Sequence, residues 1–189
     1  MRTTVKTGRR AAPVLLIAIL AGCITPLPLP SEAESRKVIE ATRWFQEPKT
    51  VRLATGGLPS GATTITDLRA DQVYRVMKDL DLIDIKPGPG QTIVVTLTER
   101  GQEASKQWEW QKSTETNGTR SWDVWQVPVA SKKIVQMLRP ASGVPGTAVV
   151  EFVWQWEPNP LGEKLVMQRE PVRTSTSFQR DERGWRIVS

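Results

Sequence analysis

Between Thr147 and Glu157 the chain alternates. Ala148, Val150, Phe152, Trp154 and Trp156 share one parity, while Thr147, Glu151, Gln155 and Glu157 lie on the other with Val149 and Val153. Side chains point to opposite faces along a strand, so this stretch predicts a strand whose first set faces a core. Ile93, Val95 and Leu97 alternate in the same way over Thr92 to Thr98. With Leu82 to Ile85 before them and Pro87-Gly88-Pro89-Gly90 between, they predict a β-hairpin. Val73, Val76, Met77 and Leu80 follow helical spacing instead, which predicts one helix over Asp67 to Leu80.

The flanking pattern fills in the rest. Ser31 with Glu34 three residues later is a capping-box pair. It opens a helix predicted over Ser31 to Gln46, with Val38, Ile39, Ala41, Trp44 and Phe45 on its apolar side and Pro48 as its stop. Val51 to Leu53 reads as a short strand and Gly56 to Gly61 as a loop. Thr98-Glu99-Arg100-Gly101 introduces a helix over Gln102 to Gln107. Beyond it the pattern is β. Asn117-Gly118 is a hairpin-turn signal, Arg120 to Ala130 and Ser131 to Arg139 read as strands, and Pro140 to Gly146 as a loop. Pro158 to Gly162 reads as a turn. Strands over Glu163 to Glu170, Val172 to Arg180 and Trp185 to Val188 follow, the last two joined at Asp181 to Gly184. The expected class is α+β, helices first and then a curved antiparallel sheet. By shape analogy this suits a cystatin-like cone with helix packed on sheet.

The N-terminus departs from this picture. Arg2, Lys6, Arg9 and Arg10 precede an apolar run from Ala11 to Ala21, with no acid among them. A basic start, a short apolar stretch and small residues describe an export signal. The run is too short for a bilayer, which needs about 20 apolar residues. Leu20-Ala21-Gly22-Cys23 resembles the lipobox of bacterial lipoproteins. The resemblance implies cleavage before Cys23, a diacylglyceryl thioether on its sulfur and usually an N-acyl chain. Stable anchoring takes more than one chain, which that modification supplies. Ile24, where Asp would retain such a protein at the inner membrane by analogy with enterobacterial sorting, points to the outer membrane facing the periplasm. The chain then divides into a signal peptide (1–22), a Pro-rich tether (23–30), a helical and winged-helix-like region (31–108) and an antiparallel β region (109–189).

Composition changes with that division. The whole chain has 189 residues and a formal charge of +6, and loss of the four cations of residues 1–22 leaves +2. A large basic footprint for nucleic acid is therefore absent. The chain has no His, which excludes Ser-His-Asp and Cys-His catalysis and His-dependent metal sites. Its single Cys excludes an intramolecular disulfide.

Val73 to Ser105, VYRVMKDLDLIDIKPGPGQTIVVTLTERGQEAS, resembles the recognition helix, wing and closing helix of winged-helix proteins, most closely at LDLI and VTLTERG. Asp81 stands where that family usually has Gly. The resemblance implies a helix followed by a hairpin and a closing helix. For DNA reading the helix would offer Arg69, Gln72, Arg75 and Lys78, but it also carries Asp71 and Asp79, and the wing offers only Lys86. An exported protein meets no chromosome, so the expected role of the unit is packing or protein contact, with no nucleic acid partner.

Eight Trp accompany a single Tyr. Six fall in pairs: Trp108 with Trp110, Trp122 with Trp125, and Trp154 with Trp156. Trp154 and Trp156 share the parity of Phe152, which assigns them to a core. Trp110 and Trp125 are the candidates for exposed ligand-stacking faces. Glu151 and Glu157 lie six residues apart on one strand, about 20 Å at about 3.3 Å per residue. A glycosidase pair needs about 5–9.5 Å. Asp123 and Glu109 could meet across strands only in a register that nothing in the sequence sets. No cofactor or metal site is expected. The functional expectation is a lipid-anchored, non-enzymatic binding or scaffolding module with an envelope protein partner. The alternative is a cell-wall glycan binder or processor using exposed Trp.

Overall fold

The computed structural model describes residues 28–58, 64–89, 92–114, 121–165 and 167–188. The signal region with Cys23, the tether as far as residue 27, and the Asn117-Gly118 pair lie outside the described residues.

Ser31 caps the first helix as expected. Its hydroxyl accepts from the Glu34 N–H, and the Glu34 carboxylate accepts from the Ser31 N–H at 2.8 Å. These bonds hold the Glu34 carboxyl below the usual range. The expected single helix is two. Helix α1 spans Glu32–Glu40 and α2 spans Arg43–Gln46. Thr42 breaks the run because its side chain caps α2, accepting from the Phe45 N–H at 3.2 Å. A Thr side chain competes with the helical ladder in this way.

Strand β1 covers Lys49–Leu58, far more than the expected Val51 to Leu53. Gly56 and Gly57 lie in the strand rather than in a loop. Gly56 has φ +101°, a conformation open to glycine. A second capping box, Thr64 with Asp67, opens α3, Ile65–Ala70. Asp71 is extended, ends α3 and caps α4, Gln72–Asp79, accepting from the N–H groups of Val73 and Tyr74. The expected continuous helix from Asp67 to Leu80 is thus broken at its own acidic residue. Helix α4 closes with two bonds, Asp81 N–H to Lys78 O and Leu82 N–H to Met77 O, both 2.9 Å. This is a Schellman motif, which places its next residue in the left-handed region. Asp81 occupies that position at φ +58°. The Asp found in place of the usual Gly keeps the glycine's backbone conformation.

Strands β2 (Ile83–Pro87) and β3 (Ile93–Leu97) form the expected hairpin, and α5 follows at Glu99–Ser105. Strand β4 is Glu109–Thr114. Strand β5, Ser121–Met137, is a single element where two strands were expected. Lys49 pairs with Ala130 and Thr50 with Pro128, so Val129 is an extra residue in a bulge. Val129 and Ala130 are both buried there. This interruption of alternation makes one strand read as two.

Strands β6 (Ala141–Ser142) and β7 (Thr147–Pro158) follow, then α6 (Pro160–Lys164), β8 (Val172–Asp181) and β9 (Gly184–Val188). Helix α6 replaces the expected turn at Pro158 to Gly162, and among the described residues of Glu163 to Glu170 no strand forms. Asn159 accepts from the Gly162 N–H and Pro160 sits in the first turn, a favourable helix start.

Among the described residues the strands form one antiparallel sheet of nine, ordered β2-β3-β1-β5-β7-β8-β9, with β4 on β5 and β6 on β7. The class is α+β, with a large open antiparallel sheet. The sheet runs through both the 31–108 and the 109–189 regions, since β1 pairs with β5. Ala130 pairs with both Lys49 and Pro158, so β1 and β7 flank β5 on opposite edges. Where pairing stops, side chains take over. Asn159 donates to Pro128 O at 2.8 Å, Arg36 donates to Ile134 O at 3.1 Å, and the Tyr74 hydroxyl bonds both the N–H and the C=O of Ala54. Buried backbone groups require such partners.

Two cores result. One, with Leu53, Met77, Val95, Val127 and Leu161, joins α3, α4 and α6 to β1–β3 and the first half of β5. The other, with Ile39, Phe45, Ile134, Phe152 and Phe178, joins α1 and α2 to the second half of β5, β7 and β8. The alternation expected for Thr147 to Glu157 holds, with Ala148, Val150, Phe152 and Trp154 buried. Among the described residues no helix is long and apolar enough to cross a membrane.

Candidate functional site

Trp110 and Trp125, the residues singled out in the sequence, are direct partners across β4 and β5. Their rings lie 6.4 Å apart and tilted, with Trp108 edge-on to Trp125 at 6.0 Å. The two rings are not equivalent. The indole N–H of Trp125 donates to the Thr55 hydroxyl at 2.8 Å, and the ring is half-buried over that 4 % exposed threonine. Trp110 stays 55 % exposed on β4. The structure therefore gives Trp110 an accessible face and makes Trp125 its backing. Asp123 pairs with Lys112, while Glu109 pairs with Gln126, so this register brings no two carboxylates together. Glu157 is paired with Lys133 at 2.5 Å and Glu151 with Arg173. Both acids are thus surface ion pairs.

A second tryptophan group surrounds the other core. Trp44 meets Trp154 edge-on at 5.6 Å, and Trp154 meets Trp156 at 5.4 Å. The Lys132 ammonium stands 4.9 Å from the ring centres of Trp44 and Trp156 and 5.9 Å from that of Trp154. It donates to Trp44 O at 2.5 Å and to Glu47 O at 3.0 Å. Burial pulls the Lys132 ammonium below the ordinary lysine range, with Glu47 opposing. The carbonyl oxygens at the end of α2 and the ring faces favour the cation. Lys132 thereby fixes α2 to the sheet. The expectation that Trp154 and Trp156 are core residues holds for Trp154, which is buried, and in part for the half-buried Trp156.

Beside Trp44 the covering of the sheet is incomplete. A cleft of about 360 Å³ opens between the α1–α2 layer and β8–β9, with Ile39, Phe152, Ile187 and Val188 among its walls. Trp44 stands at it, 44 % exposed. Thr174 and Thr176 also line it. Their even numbers place them opposite Phe152 and Val150 in the β7–β8 register.

No protein-family model, curated protein or solved structure matches this chain.

The cleft must therefore be read from its own chemistry. A concave, apolar site with a few hydroxyls suits binding. Among the described residues no group of acids is placed to hold a metal ion. The hydrophobic pattern puts Trp44 on the apolar side of a long helix and does not single out Lys132. The signal for the first was Thr42, whose cap restarts the helix and turns Phe45 inward while Trp44 stays exposed. The second had no local signal, because the rings around Lys132 come from α2 and β7.

Proposed function

We propose that this chain is a lipid-anchored cell-envelope protein, held at the outer membrane through Cys23 and facing the periplasm, that acts as a non-enzymatic binding module. Leu20-Ala21-Gly22-Cys23 supports the anchor. The observation that carries the binding role is the apolar cleft beside Trp44, left open where two helices cover the sheet incompletely. Cys23→Ser is the test of the anchor. Metabolic labelling with a palmitate analogue is expected to mark the wild-type chain and to fail on the variant, which should also remain unprocessed. Equal labelling and processing of both chains would overturn the reading.

The winged-helix-like reading of Val73 to Ser105 is part of this proposal. It is supported by the succession β1, α3, α4, β2, β3, with β3 paired between β1 and β2. We assign the unit to packing and protein contact. Asp71 supports that choice, because its carboxylate already takes the N–H groups of Val73 and Tyr74 that a phosphate at the start of α4 would need.

One observation favours a second reading. Trp110 presents an exposed ring on β4 with Trp125 behind it, an arrangement suited to stacking on a sugar. Titration with muropeptides is expected to change tryptophan emission in the wild type and not in Trp110→Ala. An unchanged spectrum in the wild type would remove this reading.

A further inference from the structure

The cleft beside Trp44 has a chemistry specific enough to name a class of ligand. Among the described residues its lining holds no charged side chain. An ionised group that entered would lose its water without gaining a partner there, which is strongly unfavourable. Lys132 is not among the residues that line the cleft, and its ammonium points to the carbonyl oxygens of Trp44 and Glu47. Two of the cleft's four hydroxyls are engaged. Thr42 Oγ1 donates to Ile39 O and accepts from the Phe45 N–H, and Thr174 Oγ1 accepts from the Trp154 indole at 3.0 Å. Sugars and nucleotides need several convergent polar groups, and this wall does not offer them. The volume, about 360 Å³, holds about a dozen groups of water size at about 30 Å³ each. A methylene is a group of that size.

We infer that the cleft between α1–α2 and β8–β9 binds one aliphatic chain, an acyl or alkyl group lying against Ile39, Phe152 and Ile187 with its polar end outside at the mouth. This deepens the binding-module reading and rests on it for the role of the cleft, but it does not require the anchor. Each methylene removed from water strengthens binding about fourfold, so a handful of them gives useful affinity without a charged contact.

The test uses the full chain in dioleoyl phosphatidylcholine vesicles with palmitic acid carrying a mid-chain diazirine. After irradiation, adducts are mapped by peptide mass spectrometry. They are expected on the segments 39–44, 174–176 and 187–188, and at least tenfold excess unlabelled palmitic acid should reduce them severalfold. Thr176→Trp, which fills the cleft, should remove them with the circular dichroism spectrum retained. If that variant does not fold, the competition experiment alone decides. Adducts confined to residues 1–30, or insensitive to competition, would overturn the inference. Cys23→Ser separates the two claims. Cleft adducts that persist in a chain without acyl label sustain this inference while the anchor fails, and an acylated Cys23 without cleft adducts does the reverse. If adducts are absent but Thr176→Trp still abolishes binding of an envelope component, the cleft binds something else and the aliphatic assignment falls alone.

Discussion

A trio of tryptophans lies beside each half of β5, and the two trios differ in what fills the space between their rings. In the first half, Trp108, Trp110 and Trp125 meet at the β4–β5 pair, and the polar atom of Trp125 is satisfied by the neutral hydroxyl of Thr55. That trio is finished, except for the outer face of Trp110. In the second half, Trp44, Trp154 and Trp156 enclose a lysine whose ammonium reaches two carbonyl oxygens. That trio holds a short helix in place and leaves an apolar cleft beside it. The same residue type serves as a stacking surface in one place and as a clamp in the other. Its neighbours decide which.

The largest effect expected is at the second core. Phe152 is 1 % exposed and forms a wall of the cleft. Phe152→Ala should lower stability by about 4 kcal/mol, read as a fall in the urea midpoint. A loss below about 1 kcal/mol would show that this half is loosely packed, and the contrast drawn above would fail.

The junction between the halves at Gly162 and the seat of α5 at Gly101 come next. A Cβ at Gly162 would lie 2.1 Å from Val129 O, and one at Gly101 would lie 1.9 Å from Leu82 O. Both neighbours are backbone and cannot rotate away. Gly162→Ala and Gly101→Ala should each cost about 3 kcal/mol, the upper part of the range for overpacking. Thermal melts of the two variants would show whether the halves unfold together. Two separate transitions would make the comparison one of independent units.

Lys132→Ala removes the clamp. Its loss should cost about 2 kcal/mol, combining ring contacts and charged hydrogen bonds. Lys132→Met, which keeps the stem, should recover part of this in urea titration. Equal losses for both variants would assign the effect to the ammonium alone, and no loss for either would deny it a clamping role. Trp110→Ala in the other trio should change stability by less than about 0.5 kcal/mol, as exposed substitutions do. A larger fall in its urea midpoint would mean that this trio is structural throughout.

The smallest change should be favourable. Asp81 sits at φ +58°, which disfavours a side chain by about 1 kcal/mol. Asp81→Gly relieves that strain but frees the unfolded chain. The net gain expected is about 0.5 kcal/mol, measured as a small rise in melting temperature.

Much of the architecture was legible locally. The capping pair Ser31 and Glu34, the parity of Thr147 to Glu157 and the Ile83 to Leu97 hairpin each depend on neighbours in sequence or on a simple period. The misreadings share a different cause. Thr42 and Asp71 each break a run of helical spacing, because a side-chain oxygen satisfies the next helix start. Gly56 and Gly57 belong to a strand because Val95 and Val94 of β3 pair with them. Pro160 and Gly162 begin a helix because Asn159 bonds back to Pro128 and Val129 across β5. The candidate site followed the same division. Pairing of Trp110 with Trp125 needed the register of β4 on β5, two consecutive strands whose parity alone does not say which residues stand opposite.

The residues alone establish an α+β chain without histidine, with one cysteine inside a lipobox-like stretch and with a strand of clear parity. Period, capping and composition are local properties, and local chemistry suffices to read them. Burial of Trp125 over Thr55, the cage around Lys132 and the cleft beside Trp44 belong to the tertiary structure. Each depends on groups separated by about 70 residues or more, brought together by strand pairing and helix packing. Hydrophobic pattern tells which face of an element is buried. It does not tell which other element buries it, or where that covering stops short.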